Sequence, residues 1–304
     1  MTGAIGYRAY KIYVQERGKS GAVSFDNNNL TVKPLQFMAD FVKGHLSPTQ
    51  NTATERSWFF ESKQTAKGTE KGLIHYGTFG FESTLVDPKT GVHQYKRKST
   101  DVEEIPLYFE IWCPTKTDFA LMAFQSFRGR SCILEVTNTM RAEYETKSPG
   151  YSLQFRKLMP SDSKGSLYSQ FPVKRLHLIK KKAESNTVEK YLSNPPKVVR
   201  LEVIMSAERS GSLGVFSSIG SSLPKNAQGI VTYEGIEIDE AQADIRIGGQ
   251  VRKVGVFGSD IEAGVIDLTE SVTKGSDGHP TFDSMVAQSG LLLKEFAEIL
   301  GVKP

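Results

Sequence analysis

The sequence predicts an α+β fold built mainly on antiparallel sheet, with a few amphipathic helices and two domains. Three observations lead there. Most apolar runs alternate with polar residues at a period of two, as half-buried strands do. Only a few segments carry apolar residues at helical spacing. Charge also divides along the chain, with 30 basic against 19 acidic residues up to position 200 and 8 against 15 beyond it. The division suggests a basic α+β body over 1–209 and an acidic, β-rich portion over 210–304 that closes with an amphipathic helix.

The opening run 4–14 (AIGYRAYKIYV) is rich in Tyr, Ile and Val and reads as a strand that QERGKSG interrupts. A helix is predicted over Pro34–His45, with Leu35, Met38, Val42 and, just beyond it, Leu46 on one stripe and Pro34 in the first turn, where its missing N–H costs nothing. SPTQNTATE is a loop, Ser57–Ser62 a buried strand and KQTAKGTEKG a polar linker. Gly72–Val86 and Val92–Lys98 read as one long hairpin around DPKTG. Pro106–Trp112 and Phe119–Phe127 continue the strand character, the second with a helical alternative. Ser131–Lys147 has Ile133, Val136, Met140 and Tyr144 at helical spacing and stops at Pro149-Gly150.

Three further strands are predicted at Tyr151–Leu158, Pro172–Lys182 and Val198–Ser206. Leu153 and Phe155 face inward in the first of them. In the second, Leu176 and Leu178 share a face opposite Arg175 and His177. Residues 208–229 (ERSGSLGVFSSIGSSLPKNAQG) have the composition of a mobile connector or a loop-rich insertion. Strands at Ile230–Asp239 and Ala243–Phe257 follow, the second folded back at Gly248-Gly249. Phe282, Met285, Val286, Ser289, Leu293, Phe296 and Leu300 then form a helical stripe between a Thr281 cap and Gly301.

With 304 residues, 38% of them hydrophobic, the chain holds enough apolar mass for a real core, which excludes a disordered tail, a disulfide-stapled miniprotein or a collagen-like fibre. Cys113 and Cys132 allow one disulfide at most, so a reducing cytoplasm is the expected setting. The N-terminal residues do not resemble an export signal, and no apolar run approaches the ~20 residues that cross a bilayer.

Motif chemistry is sparse. GxxxxGK[ST], GxGxxG, HExxH and a nucleophile elbow are absent, and two cysteines with five scattered histidines do not make a zinc site. No cofactor or metal is expected. Glu61-Ser62-Lys63 at a strand end is the one nuclease-like signal, with Asp40 upstream as a second Mg²⁺ ligand and Glu145-Thr146-Lys147 repeating the spacing. Two ordinary solvated charges would look the same. Asp239, Glu240 and Asp244 have the chemistry of a hard-cation site, or of an acidic turn.

The basic residues offer more. Positions 151–200 alone hold 11 basic and 3 acidic residues. Lys96, Arg97 and Lys98 close the first hairpin; Arg156 and Lys157, Lys174 and Arg175, and Lys180, Lys181 and Lys182 mark successive strands. If those strands are neighbours, the ten residues form a stripe that tracks phosphates without reading bases, with duplex DNA as the expected partner. A solvated sheet rim is the plain alternative. Tyr76, Phe79, Phe81 and Tyr95 would stack on unpaired bases if exposed, and belong to the core otherwise.

The order of elements resembles that of the Rex-type phage-exclusion proteins and, more distantly, the DNA-binding subunit of the Kiwa phage-defence system. The similar segments are YRAYKIYV with NLTVKPLQFMADFVKGHL, FPVKRLHLIKKK with VVRLEVIMSA, and FDSMVAQSGLLLKEFAEIL. The resemblance implies a homodimeric, largely sequence-independent binder of double-stranded DNA acting in phage defence without catalysis, beside a membrane protein or second defence subunit. It assigns no individual residue, and the Gly/Ser stretch and acidic portion have no counterpart in it. Two other classes stay open: a Mg²⁺-dependent nuclease using Glu61 and Lys63, and a protein-interaction or virion component whose basic and acidic portions pair between subunits.

Overall fold

The structure, a computed structural model, describes residues 5–158, 171–184, 193–194, 196, 198–208, 211–227, 229–247, 250–257 and 265–302. Among the described residues strand outweighs helix, and every pairing with an assigned register is antiparallel, so the α+β description holds. In chain order the described elements are β1 (Ile5–Glu16), α1 (Pro34–Gly44), β2 (Thr49–Asn51), β3 (Arg56–Ala66), β4 (Thr69–Thr78), β5 (Ser83–Val86), β6 (His93–Arg97), β7 (Glu103–Trp112), β8 (Ala120–Phe127) and α2 (Ile133–Lys147). There follow β9 (Tyr151–Lys157), β10 (Val173–Glu184), β11 (Val198–Ser206), α3 (Phe216–Ser222), β12 (Thr232–Tyr233), β13 (Ile236–Glu237), β14 (Glu240–Ile247), β15 (Gln250–Phe257), β16 (Ile266–Asp267) and α4 (Phe282–Ile299).

The chain forms two compact units, neither of them contiguous. One comprises 1–10, 156–273 and 287–304; the other comprises 11–155 and 274–286. The expected boundary at 209/210 does not separate them. β10, from the basic portion, hydrogen-bonds along its length to β14, from the acidic one, with Leu176 opposite Ala243 and Leu178 opposite Ala241. Burying the apolar side of each strand outweighs keeping like composition together.

In the second unit the strands run in the order β8-β7-β4-β3-β2. One face of this sheet carries Trp58, Phe60, Ile74, Leu107, Phe109 and Phe124, all buried, and receives α1 through Phe41; α2 packs against α1, its Tyr144 meeting Phe37. The buried α1 stripe is Pro34, Phe37, Met38, Phe41 and Val42, so Pro34 takes the buried place in the first turn and Leu35 is 44% exposed. The stretch expected as a linker after Ser62 is instead a hairpin. Ala66 pairs with Thr69, and Gly68 takes φ +76° where a side chain would strike the carbonyl of Cys113. β4 consequently pairs with β3 and β7, and the long hairpin read over 72–98 shrinks to a separate two-stranded ribbon of β5 and β6.

In the first unit the order is β11-β10-β14-β15-β16-β1. Its apolar face presents Leu176, Leu178, Ala243, Val254, Ile266 and Tyr7. Residues 287–299 of α4 lie on that face: the Tyr7 hydroxyl is 2.9 Å from Ser289 Oγ, and Arg252 donates to Gln288 and to Ser271. The Gly/Ser stretch read as a connector contains α3, whose Phe216 and Ile219 are buried. Two apolar residues at i and i+3 anchor one helical turn despite poor helix-forming neighbours. The Gly248-Gly249 turn lies outside the described residues, although Ile247 and Gln250 on either side of it pair. The strand expected over 230–239 divides into the β12–β13 hairpin.

Candidate nucleic-acid interface

β10 shows first what became of the predicted basic stripe. Strand alternation sends Lys174, Leu176, Leu178 and Lys180 to one face and Arg175, His177, Ile179 and Lys181 to the other, so the basic residues divide between two faces. Most of them also meet carboxylates from the acidic portion. Lys180 Nζ is 2.9 Å from Asp239 Oδ1, Lys181 Nζ 3.3 Å from the fully buried Glu240, and Arg175 4.0 Å from Asp244. Lys174 donates to the Gly211 carbonyl. Lys180 and the backbone N–H of Lys181 hold the Asp239 carboxyl below its usual range against the opposing effect of burial. Three basic residues of β10 thus meet acidic residues from the other end of the charge asymmetry, and Asp239, Glu240 and Asp244 serve as counter-ions to this strand. Of this group only Lys182 is exposed without a carboxylate among the described residues; on β9, Arg156 is exposed and Lys157 half-buried.

The same face buries His177 between Glu202 (Nδ1 to Oε1, 3.0 Å) and Asp244 (Nε2 to Oδ1, 3.5 Å), with Gln242 beside it and Lys253 opposing. The Asp244 bond, joined by Glu202, raises the pKa of the imidazole above 6.5 in spite of desolvation. A raised folded-state pKa stabilises fully below the unfolded value, and the contribution is lost as pH rises through the folded value. Thermal midpoints measured from pH 5 to pH 9 should fall across that upper window, and His177→Gln should flatten the fall.

Lys96, Arg97 and Lys98 belong to the β5–β6 ribbon, which pairs with no other strand among the described residues. Arg97 is not available to a ligand. It is buried at the ribbon's root, where it donates to the carbonyls of Thr78 and Asp101, meets Glu103 Oε2 at 3.3 Å and covers the Phe81 ring at 4.2 Å. Glu103 is shared with Arg130. Asp101 completes the root by accepting from the Tyr95 hydroxyl and from Lys98 N–H; these bonds hold its carboxyl below the usual range and push the Tyr95 phenol up. Lys98 is exposed, and Lys96 is exposed with a 3.4 Å contact to an equally exposed Glu82, a pair worth little in water. Lys89, in the turn, is exposed too.

Five of the protein's large exposed apolar residues sit on this one ribbon: Phe81, Leu85, Val86, Val92 and Tyr95, each 47–57% exposed. Tyr76, by contrast, is buried on β4, and Phe79 is half-buried. Sequence reading treated the four aromatics as one group because it joined them in one hairpin. The chain leaves the ribbon for β7 through a turn over Lys98-Ser99-Thr100-Asp101, closed by the Asp101 N–H on the Lys98 carbonyl, which carries no glycine or proline to announce it.

The residues of the nuclease alternative have other partners. Glu61 points from the face of β3 opposite to α1. It accepts from His75 at 2.9 Å and pairs with Lys63 at 3.2 Å, contacts that keep its carboxyl below the usual range. His75 also meets Glu104 at 2.7 Å and stacks on Phe59. Asp40 is an exposed α1 residue bonded to Gln36, and Glu145 pairs with Arg17. Among the described residues no group of three His, Cys, Asp or Glu side chains is arranged to hold a metal ion. Burial raises both cysteine thiols to about 12, which leaves no thiolate nucleophile at neutral pH. No described helix is long and apolar enough to cross a membrane. Comparison with models of known protein families and with curated proteins returned no match.

Proposed function

We propose that the protein binds nucleic acid, duplex DNA included, by sequence-independent contacts to phosphate, that the β5–β6 ribbon is the element that makes them, and that the setting is phage defence without catalysis. The observation that supports the reading is the ribbon itself. Its exposed lysines, Lys89, Lys96 and Lys98, are carried on a strand pair oriented by the buried Arg97 and by Asp101, so they present charge without a fixed internal partner of comparable strength. Over 81–98 there are four basic and two acidic residues. The β10 cations do not share this role, because carboxylates of the same sheet already hold Arg175, Lys180 and Lys181.

Three lysine contacts to duplex phosphates give a log–log salt slope of about −2.7, hence a loss of roughly 40-fold in affinity between 50 and 200 mM salt. Gel shifts with random-sequence DNA across that range test the proposal. The Lys89→Glu, Lys96→Glu, Lys98→Glu triple variant should lose binding at 100 mM salt and keep its melting temperature. No shift by the unaltered protein at 50 mM salt, or a shift indifferent to salt, rejects the reading.

A further inference from the structure

The ribbon has two chemically different sides, and they bear on which nucleic acid it fits. Register pairs Ser83 with Arg97, Leu85 with Tyr95 and Thr84 with Lys96. Cross-strand partners share a face, so Leu85 and Tyr95 stand together, in line with Arg97 and the Phe81 ring it covers, whereas Lys96 and Thr84 occupy the reverse. We infer that the aromatic side of the ribbon stacks on unpaired bases, so that the preferred ligand carries a single-stranded stretch. The inference rests on the nucleic-acid reading above and names the form of its ligand.

The geometry supports stacking rather than a loose apolar patch. Tyr95 is held at its far end by the hydroxyl bond to Asp101, which also takes Lys98 N–H, yet half of the residue is exposed. The ring is thus oriented before any ligand arrives, and ordering it costs little on binding. Phe81 is backed on one side by the Arg97 guanidinium, itself fixed by Thr78, Asp101 and Glu103, and is 47% exposed. Paired bases inside a duplex offer grooves and backbone but no ring faces; unpaired bases offer both faces. Two strands lie only about 4.8 Å apart, so lysine stems reach round the ribbon's edge to the backbone of a strand whose bases rest on the aromatic side. The net positive charge of 81–98 favours this ligand over an uncharged apolar partner.

Fluorescence anisotropy at 50 mM salt with a 20-nucleotide oligo(dT) and with a blunt duplex of random sequence tests the inference. The unaltered protein should bind the single strand more tightly. Tyr95→Ala and Phe81→Ala should each weaken single-strand binding about 5- to 100-fold and leave the blunt duplex within twofold. Tyr95→Phe keeps the ring and should retain most of the single-strand affinity, which separates the ring from the hydroxyl bond. Equal weakening of both ligands, or no change in either, overturns stacking and leaves phosphate binding standing. Absence of binding to both ligands by the unaltered protein removes the parent reading as well. Sedimentation with anionic vesicles that Leu85→Asp abolishes, in a protein that ignores both oligonucleotides, assigns the apolar side to lipid and overturns the inference.

Discussion

Trp58→Ala is expected to lower the stability of the protein by about 3–5 kcal/mol, read as a shift of the urea midpoint followed by far-UV circular dichroism. Trp58 is 1% exposed on the inner face of β3. Its ring stacks with His45 at 5.0 Å and Phe41 at 6.1 Å, both in or directly after α1, and meets Phe60 edge-on at 5.6 Å. Phe60 in turn touches Phe109 on β7 at 4.7 Å. One side chain thus joins the helix to the sheet, and alanine would leave a cavity among rigid rings that cannot collapse to fill it. Leu134→Ala is the matching control: Leu134 is 74% exposed on α2, and its loss should register within about 0.5 kcal/mol. A Trp58→Ala midpoint as close to the unaltered protein as that control would show that α1 is not anchored through this residue.

Glu240→Ala should cost about 3–5 kcal/mol as well, for an electrostatic reason. Glu240 is fully buried on β14, accepts a hydrogen bond from Gln242 and meets Lys181 at 3.3 Å. Its removal strips the carboxylate from a lysine that is itself mostly buried. Lys181→Met is predicted to be comparably harmful, because it leaves a carboxylate in the interior without its counter-charge. Glu240→Gln keeps the shape and the Gln242 contact and should be the mildest of the three. These variants also test how the basic residues of the chain are divided. If β10 is structural and the ribbon binds, Lys181→Met lowers the melting temperature and leaves the affinity of the folded protein for DNA unchanged. The reverse pattern, full stability with weakened binding, would return β10 to the interface.

The elements that could be read from the sequence are those whose evidence is local. Period-two alternation placed β9, β10 and β11; strand-like composition placed β7; helical spacing placed α1, α2 and α4; and Leu176 and Leu178 do face away from Arg175 and His177. The β3–β4 turn was missed because Lys67-Gly68 lacks the Asn-Gly or Asp-Gly chemistry that marks a two-residue hairpin, and α3 because glycine and serine masked the spacing of Phe216 and Ile219. At the site, Lys96, Lys98 and the aromatic rings of Phe81 and Tyr95 were legible as residue types. Arg97 stands between two of them in sequence and has the opposite fate, buried beneath the ribbon, which no pattern of types distinguishes.

Local pattern alone determined the strands and helices whose periodicity is uninterrupted, and that an excess of positive charge precedes an excess of negative. It could not determine that the two excesses lie side by side, since β10 and β14 are brought together by burial of Leu176, Leu178, Ala241 and Ala243 across some sixty residues of chain. Side-chain period is a property of consecutive residues, whereas strand neighbours and counter-ions are chosen by the free energy of the whole packed sheet. For that reason lysines that read as one surface became half-buried ion pairs on β10 and solvent-exposed charges on the ribbon.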